Sequence, residues 1–287
     1  MNNDISRRKF IHQTSLGSLG IFIGGSLLNG INFNRLDTVG LIVNVLEKEL
    51  KSDWQDTLRK VASIGYSQLE YGNYYGDSIE YFKNFMDSID LKSLSGGSSM
   101  AEMKKESVLN KMIEDALYLQ KKYLVCYWPW MDDGNNKNLD DFKKAADDLN
   151  RLGEYCHKAG IRLAFHNHDK EFVPVKGYPF GYEVILKETD PQNVCMLLDL
   201  YWITKGGGDP VNFLEEYPSR FEIFHVKDMD NTPEKLYTCP GYGIIDFKKI
   251  FAAAEKTNVK YYIVEIDKTD SPMECIQNSY DYLTNLR

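Results

Sequence analysis

From Thr38 onward the sequence alternates short apolar runs with longer amphipathic segments, and this alternation repeats eight times. Short apolar runs between turn signals are typical of buried strands, whereas longer segments with a 3.6-residue period are typical of helices. Strands and helices that alternate along a chain pack as a parallel sheet covered by helices. The predicted strands are 39–43, 66–71, 91–95, 123–128, 161–166, 194–199, 221–226 and 261–266.

Eight strand–helix units over about 250 residues match a closed barrel better than an open doubly wound sheet. No change in composition divides residues 38–287, so we predict one domain of the α/β class, a (β/α)8 TIM barrel, over that range. A nucleotide-binding fold is disfavoured because no G-x-G-x-x-G motif follows the first strand. The glycines at 206–208 lack the Lys-Ser/Thr of a P-loop and indicate only a loop.

The amino-terminal residues 1–33 have a different character from the rest. Arg7 and Arg8 precede an apolar, glycine-rich stretch, and this order is typical of a twin-arginine export signal. We therefore expect the twin-arginine export machinery to be a partner and the protein to be periplasmic, or tethered to the membrane if the signal is not cleaved. The alternative, an amphipathic helix packed on the domain, is disfavoured because the stretch has no polar face.

Charge and cysteine usage exclude several classes of protein. Asp and Glu (42) outnumber Lys and Arg (34), which gives a formal net charge of −8 and argues against a nucleic-acid partner. An odd number of cysteines without a C-x-x-C spacing predicts neither a disulfide framework nor a zinc ribbon, and we expect no catalytic thiol. The five cysteines are Cys126, Cys156, Cys195, Cys239 and Cys275.

Polar side chains end four consecutive predicted strands, namely His166, Asp199, His225 and Glu265. In a barrel the carboxyl ends of the strands meet at one mouth, so these side chains are expected to converge there. A lone Asp after a strand is usually a helix cap and a lone His a core residue, but four in barrel register favour a shared site. Imidazoles with carboxylates suit transition-metal ions better than Ca²⁺. We predict a divalent metal bound by Asp199, His225 and Glu265, with Mn²⁺ preferred and Zn²⁺, Co²⁺, Fe²⁺ or Mg²⁺ as alternatives.

Four stretches of the chain resemble the xylose isomerase-like TIM-barrel family. They are LDLYW at 198–202, HVKD at 225–228, GYGIIDF at 241–247 and VEID at 264–267. The family includes sugar phosphate isomerases/epimerases, inosose dehydratases and keto-glycoside lyases. The resemblance implies a metal that holds adjacent sugar oxygens while a base removes a proton beside a carbonyl.

The expected function is therefore that of a metal-dependent sugar isomerase or epimerase acting on a small carbohydrate by enolate chemistry. The alternatives are a lyase or dehydratase, or 3-keto-glycoside cleavage, through the same enolate. A metal-assisted hydrolase of the endonuclease IV kind would be expected to carry more histidines, and a non-catalytic carbohydrate-binding protein would need no metal. The sequence leaves the oligomeric state open, an oligomer included.

The fifth strand departs from the pattern of the family's epimerases, which carry a metal-binding Glu where this chain has His166. The His-Asn-His form resembles the dehydratase and lyase branches instead. We predict that His166 or His168 removes the proton, that Glu265 binds the metal and that Lys227 or the metal stabilises the enolate. The structural alternative for Lys227 is a surface salt bridge. Glu171 is a candidate replacement ligand, because five residues of extended chain span up to about 16 Å. The sequence leaves open whether the metal ligand from the fifth strand is His166, His168 or Glu171.

Three further residues are predicted to contact the sugar, namely Glu70, Trp128 and Trp202. Each lies at or just beyond the end of a predicted strand, where aromatic rings stack on sugars and carboxylates bind hydroxyls. Each also has a structural alternative. Glu70 would then anchor a neighbouring loop, and the two tryptophans would belong to the packing of the domain.

Overall fold

The computed structural model describes residues 36, 38–130 and 137–286. Within them nine parallel strands form one sheet in the order β3-β2-β1-β11-β8-β7-β6-β5-β4. The two end strands, β3 and β4, are separated in sequence by Gly96 alone, so together they are the third strand of a closed ring. The predicted single-domain (β/α)8 barrel is confirmed. The strands of the ring are β1 Gly40–Ile42, β2 Gln68–Glu70, β3 Lys92–Ser95, β4 Gly97–Ser99, β5 Tyr123–Trp128, β6 Arg162–His166, β7 Val194–Asp199, β8 Phe221–Val226 and β11 Tyr261–Val264, and β9 Asp228–Met229 and β10 Tyr237–Thr238 form a separate hairpin.

The helices pack on the outside of the ring, and several of them begin at a polar side chain that caps the first turn. Asn138 starts α5 with a capping box, in which its side chain accepts from the N–H of Asp141 while the Asp141 carboxylate accepts from the N–H of Asn138. Such caps satisfy N–H groups that the first helical turn leaves without partners. The helices are α1 Glu47–Ile64, α2 Ile79–Ser88, α3 Met100–Met103, α4 Glu106–Tyr118, α5 Leu139–Lys158, α6 Tyr182–Glu188, α7 Leu200–Lys205, α8 Pro210–Glu216, α9 Phe247–Ala254 and α10 Pro272–Asn285, with short 3-10 turns at Val43–Leu46 and Asp169–Glu171.

The third barrel strand, predicted as the single run 91–95, is longer than predicted and is interrupted at Gly96. A side chain there would place its Cβ 1.8 Å from the carbonyl oxygen of Tyr71, and one at Gly97 would lie 1.7 Å from that of Val125. Gly96 also has φ +157. Only glycines allow the neighbouring backbones to approach this closely, so the local sequence of small residues permits the break.

The interior of the barrel contains a row of apolar side chains from alternate positions of the strands. Because successive side chains of a strand point to opposite faces, a polar residue two positions after an interior apolar residue also points inward. His166 follows Ala164 in this way, and Glu265 follows Ile263. The buried interior residues are Ile42, Leu94, Tyr123, Val125, Ala164, Cys195, Leu197, Ile223 and Ile263.

One disulfide corrects the prediction from the cysteine spacing. Cys239 and Cys275 are bonded, with their Cα atoms 5.8 Å apart and with a separation of 36 positions in sequence. The bond joins the end of the hairpin strand β10 to the first turn of α10. The spacing gave no sign of it because the fold, rather than the local sequence, brings the two residues together. The three free cysteines are buried, as expected of small apolar residues.

The predicted export signal, residues 1–33 with Arg7 and Arg8, lies outside the described residues. Among the helices that the structure does describe, none combines the length and the apolar character needed to cross a membrane.

Candidate metal centre

Four side chains converge at the mouth of the barrel, and we call them the metal group: His166, Asp199, His225 and Glu265. Each offers one ligand atom, and these atoms all lie within 4.8 Å of one another. His166 Nε2 is 3.4 Å from Asp199 Oδ2 and 3.6 Å from Glu265 Oε2. His225 Nδ1 is 2.5 Å from the same Glu265 oxygen. The predicted convergence of the four strand ends is therefore present.

The metal group contains buried polar atoms that lack hydrogen-bond partners among the described residues. They are both ring nitrogens of His166, Nδ1 of His225, Oδ2 of Asp199 and Oε2 of Glu265. Leaving such atoms buried and unpaired costs free energy, so a cluster of them indicates a missing partner. Two imidazoles with two carboxylates form a donor set that suits a divalent transition metal. The residues therefore fit the predicted ion.

Asp199 combines a structural role with its place in the metal group. Its Oδ1 accepts from the N–H of Trp202 at 2.7 Å and so caps α7, while Oδ2 faces the group. The neighbouring strand fixes its backbone, because Asn167 Oδ1 accepts from the Asp199 N–H at 2.9 Å. The helix-cap interpretation and the ligand interpretation of this residue are compatible, since each uses a different oxygen.

Glu70 approaches the metal group from β2, on the far side of His225. Its Oε1 lies 2.9 Å from His225 Nε2 and accepts from the hydroxyl of Tyr127 at 2.8 Å. Its Oε2 accepts from the Ser95 hydroxyl at 2.5 Å. Glu70 is fully buried. These contacts are with side chains of three other strands and not with a neighbouring loop, which was the structural alternative for Glu70, and sugar binding by Glu70 stays a prediction.

The charges of the metal group determine which of its members hold protons. Burial lowers the pKa of His225, but Glu265 and Glu70 outweigh this and raise it to about 10. Burial raises the pKa of Glu265, but Lys227 and His225 outweigh it and hold the pKa well below its usual value. Burial also raises the pKa of Asp199. A metal ion would therefore compete with protons for His225, which makes binding pH-dependent.

Lys227 is buried beside the metal group, whereas Asp267, its partner in a salt bridge, is exposed. Its Nζ lies 2.6 Å from Asp267 Oδ2 and 3.5 Å from Glu265 Oε1. Burial lowers the pKa of Lys227, but Glu265 and Asp199 outweigh it, so the pKa is raised and the side chain stays an ammonium. The rings of Tyr201, Trp202 and Tyr237 surround Nζ at 5.0–5.4 Å.

His168 lies between the metal group and two of the predicted sugar-binding residues. Its ring stacks on Trp128 with centroids 3.4 Å apart, and it lies 5.3 Å from the ring of Trp202 and 4.6 Å from that of His166. Burial, with a smaller effect of His166, lowers the pKa of His168 well below its usual value. This imidazole is therefore neutral near pH 7.

Glu171 lies outside the metal group. Its Oε2 accepts from the backbone N–H of His168 at 2.5 Å, and burial raises its pKa to about 7. Of the three candidate ligands that the fifth predicted strand offered, the structure brings His166 into the group. The reason is the alternation of β6, which turns His166 inward, while His168 and Glu171 lie beyond the end of the strand.

A comparison with protein families agrees with this geometry. The model of the xylose isomerase-like TIM barrel matches residues 58–286. The chain belongs to this family. The match covers most of the described barrel, including all four residues of the metal group.

Three individual proteins show what the chain is similar to within the xylose isomerase-like fold. A sugar phosphate isomerase/epimerase from Parabacteroides distasonis has 28% identity and a TM-score of 0.72, and the match covers 86% of this chain and 93% of that one. An inosose dehydratase of Lacticaseibacillus casei is 22% identical over 261 residues, which are 80% of this chain and 86% of that protein. A 3-keto-D-glucoside 4-epimerase from E. coli, 16% identical with a TM-score of 0.62 over 86% of this chain and 98% of that one, shares the fold.

Sequence reasoning missed four residues around this xylose isomerase-like site. Ser95 and Tyr127 contact Glu70, and Asp267 and Tyr237 contact Lys227. A signal existed for Asp267 and Tyr127, since each follows an inward-facing residue by two positions in a strand or just beyond it. Tyr237 had none, because it belongs to β10 of the short hairpin, which was not among the predicted strands.

Proposed function

We propose that the protein is a metal-dependent sugar isomerase or epimerase that removes a proton beside the carbonyl of a sugar or keto-sugar. The observation that carries the proposal is the metal group itself, whose unpartnered ligand atoms lie at the mouth of a barrel of this family. Two further groups suit enolate chemistry, the Lys227 ammonium and the neutral His168 imidazole.

The metal group would hold Mn²⁺, with Zn²⁺, Co²⁺, Fe²⁺ or Mg²⁺ as alternatives, and the ion would supply an electrophile for adjacent sugar oxygens. His168 is the proposed base, because His166 is occupied in the metal group and His168 is not. A neutral imidazole can accept a proton near pH 7 and return it. Lys227 stabilises the negative charge that develops on the carbonyl oxygen. Trp128 and Trp202 form an aromatic wall for the sugar ring.

A lyase or dehydratase, including one that cleaves a 3-keto-glycoside, is the second candidate. An enolate expels a leaving group from the neighbouring carbon as readily as it takes back a proton on the other face. Two observations favour this outcome, namely the inosose dehydratases among the relatives and an imidazole, His166, in the metal group where a carboxylate was expected of an epimerase. The substrate, rather than the metal group, separates the two reactions.

The test is solvent deuterium exchange at the carbon beside the carbonyl, measured by NMR on sugars and keto-sugars with metal-loaded protein. We expect exchange in the wild type and its loss on treatment with a chelator. His168→Gln should slow exchange about 10²–10⁴-fold with the metal retained, whereas His166→Gln should lose the metal. His157→Gln, on the surface of α5, is the control. Exchange at the wild-type rate in His168→Gln would exclude His168 as the base, and no exchange with any substrate would reject the function.

We also propose that the protein is exported by the twin-arginine route and works in the periplasm. The Cys239–Cys275 disulfide supports this, because such bonds persist in oxidising compartments and are rare in the cytosol. Changing Arg7 and Arg8 to Lys should leave the protein in the cytoplasm with both thiols reduced, as measured by fractionation and alkylation mass. Unchanged localisation would show that residues 1–33 are not this signal.

A further inference from the structure

We propose that Glu70 is a positioning residue that holds His225 with Nδ1 directed at the metal group. The proposal rests on the proposed function only in requiring that the group binds a metal ion. The strands β2, β3 and β5 carry no member of the metal group. In this proposal their side chains orient a metal ligand that lies on β8.

The two nitrogens of His225 face different partners. Nε2 lies 2.9 Å from Glu70 Oε1, and Nδ1 lies 2.5 Å from Glu265 Oε2 inside the metal group. A neutral imidazole donates from one nitrogen and accepts at the other. A hydrogen bond from Nε2 to Glu70 therefore leaves the lone pair of Nδ1 for the metal. Carboxylates that receive the second N–H of a ligating histidine fix its ring orientation in this way.

Glu70 can fix the ring because its own carboxylate is held by two hydroxyl donors. Tyr127 from β5 donates to Oε1, and Ser95 from β3 donates to Oε2. The backbone after Glu70 is held as well, since Lys121 Nζ donates to the carbonyl oxygen of Tyr71 at 2.8 Å. The missing side chain of Gly96 leaves the space for this contact, because a Cβ there would lie 2.8 Å from Lys121 Nζ.

If Glu70 only stabilised the fold, its loss would lower stability without a specific effect on metal binding. The chain offers a matched control that separates the two roles. Tyr123 lies on the same strand as Tyr127, and its hydroxyl donates to another buried carboxylate, Glu222 Oε2, also at 2.8 Å. Glu222 lies at the opposite end of the barrel, away from the metal group. Loss of either tyrosine hydroxyl removes one hydrogen bond to a buried carboxylate, but only the loss at Tyr127 should affect His225.

The experiment measures Mn²⁺ affinity by calorimetry on the purified full chain without any sugar, together with thermal stability. Glu70→Gln should weaken Mn²⁺ binding about 10–100-fold. Tyr127→Phe should weaken it several-fold, and Tyr123→Phe should leave it at the wild-type value despite a similar loss of stability. With Zn²⁺, which is diamagnetic, in place of Mn²⁺, the ¹⁵N chemical shifts of the His225 ring should show the Nε2–H form in the wild type and a mixture of forms in Glu70→Gln.

Wild-type affinity in both Glu70→Gln and Tyr127→Phe would overturn the proposal, and so would equal weakening in Tyr123→Phe. If Glu70→Gln does not fold, Tyr127→Phe against Tyr123→Phe decides alone. If the wild type binds the metal and the variants bind it equally well, only the role of Glu70 is rejected. A wild type that binds neither Mn²⁺ nor Zn²⁺ rejects the metal of the proposed function together with it.

Discussion

Each end of the barrel buries a glutamate among polar partners, but the two carboxylates differ in the groups that surround them. At the amino ends of the strands, Glu222 accepts from Tyr123 at 2.8 Å and pairs with Arg162 at 2.8 Å. At the mouth, Glu265 lies among two imidazoles and Lys227, and its Oε2 has no hydrogen-bond partner among the described residues. Both carboxylates have ion-pair partners, since Glu265 Oε2 also lies 2.5 Å from His225 Nδ1. The mouth differs in that several buried ligand atoms without a hydrogen bond lie within 4.8 Å of one another, and such a cluster indicates an external ligand.

The local backbone explains part of this difference. The pairing of β7 with β8 shifts between Met196 and Leu197, whose partners are Phe221 and Ile223, so Glu222 is an extra residue in its strand. A bulge of this kind redirects a side chain, and here it brings the Glu222 carboxylate to Arg162 and Tyr123. The mouth residues His166 of β6 and Asp199 of β7 follow the interior residues Ala164 and Leu197 by two positions, so they face the interior of the barrel by regular alternation.

The largest expected effect follows from removing the Glu265 charge at the mouth of the barrel. Glu265→Gln keeps the shape of the side chain but removes the charge that lies between His166, His225 and Lys227. We expect loss of the bound metal and a fall in kcat/KM of at least about 10⁴-fold, which corresponds to about 5.4 kcal/mol. Metal analysis and steady-state kinetics measure the two effects. Full metal occupancy in the variant would contradict the assignment of Glu265 as a ligand.

The second effect follows from removing the Glu222 charge at the amino ends of the barrel strands. Glu222→Gln leaves Arg162 partly buried without its carboxylate, so we expect the free energy of unfolding to fall by about 4 kcal/mol while Mn²⁺ affinity is unchanged. Chemical denaturation and calorimetry measure these quantities. The control is Glu154→Gln, which removes an exposed pair with Lys158 and should cost less than about 1 kcal/mol. Weakened metal binding in Glu222→Gln would show that the two ends are coupled.

The smallest effect is a change of folding stability with pH, caused by the buried Glu171 carboxylate beside His168. Burial raises the pKa of Glu171 to about 7, above the unfolded value of about 4.3. Between these values the folded protein binds the proton more tightly, so stability is lost as pH rises from about 4.5 to about 7. Glu171→Gln removes this loss, and its stability relative to the wild type should rise by about 2 kcal/mol between pH 5 and pH 8.

The measurement uses denaturant unfolding of chelator-treated protein at both pH values, with Glu188→Gln on the exposed end of α6 as the control. A constant difference between Glu171→Gln and the wild type across the range would show that Glu171 is ionised at both values.

The sequence by itself determined the class of fold and the position of the metal group. The alternation of apolar runs and amphipathic segments predicts strands and helices from local periodicity, and strand-end residues such as Asp199 and His225 share one end of any parallel barrel. Both inferences depend on the regular geometry of neighbouring residues along the chain. The export signal stays a prediction, since residues 1–33 lie outside the described part.

The tertiary structure alone decided which groups meet. Glu70 and His225 are 155 residues apart in sequence, and their contact depends on the register of strands that are not neighbours. The Cys239–Cys275 bond and the choice of His166 over Glu171 depend on where loops and strand ends stop. Such contacts depend on ångström-scale placement, which the sum of all packing interactions determines and no local pattern contains.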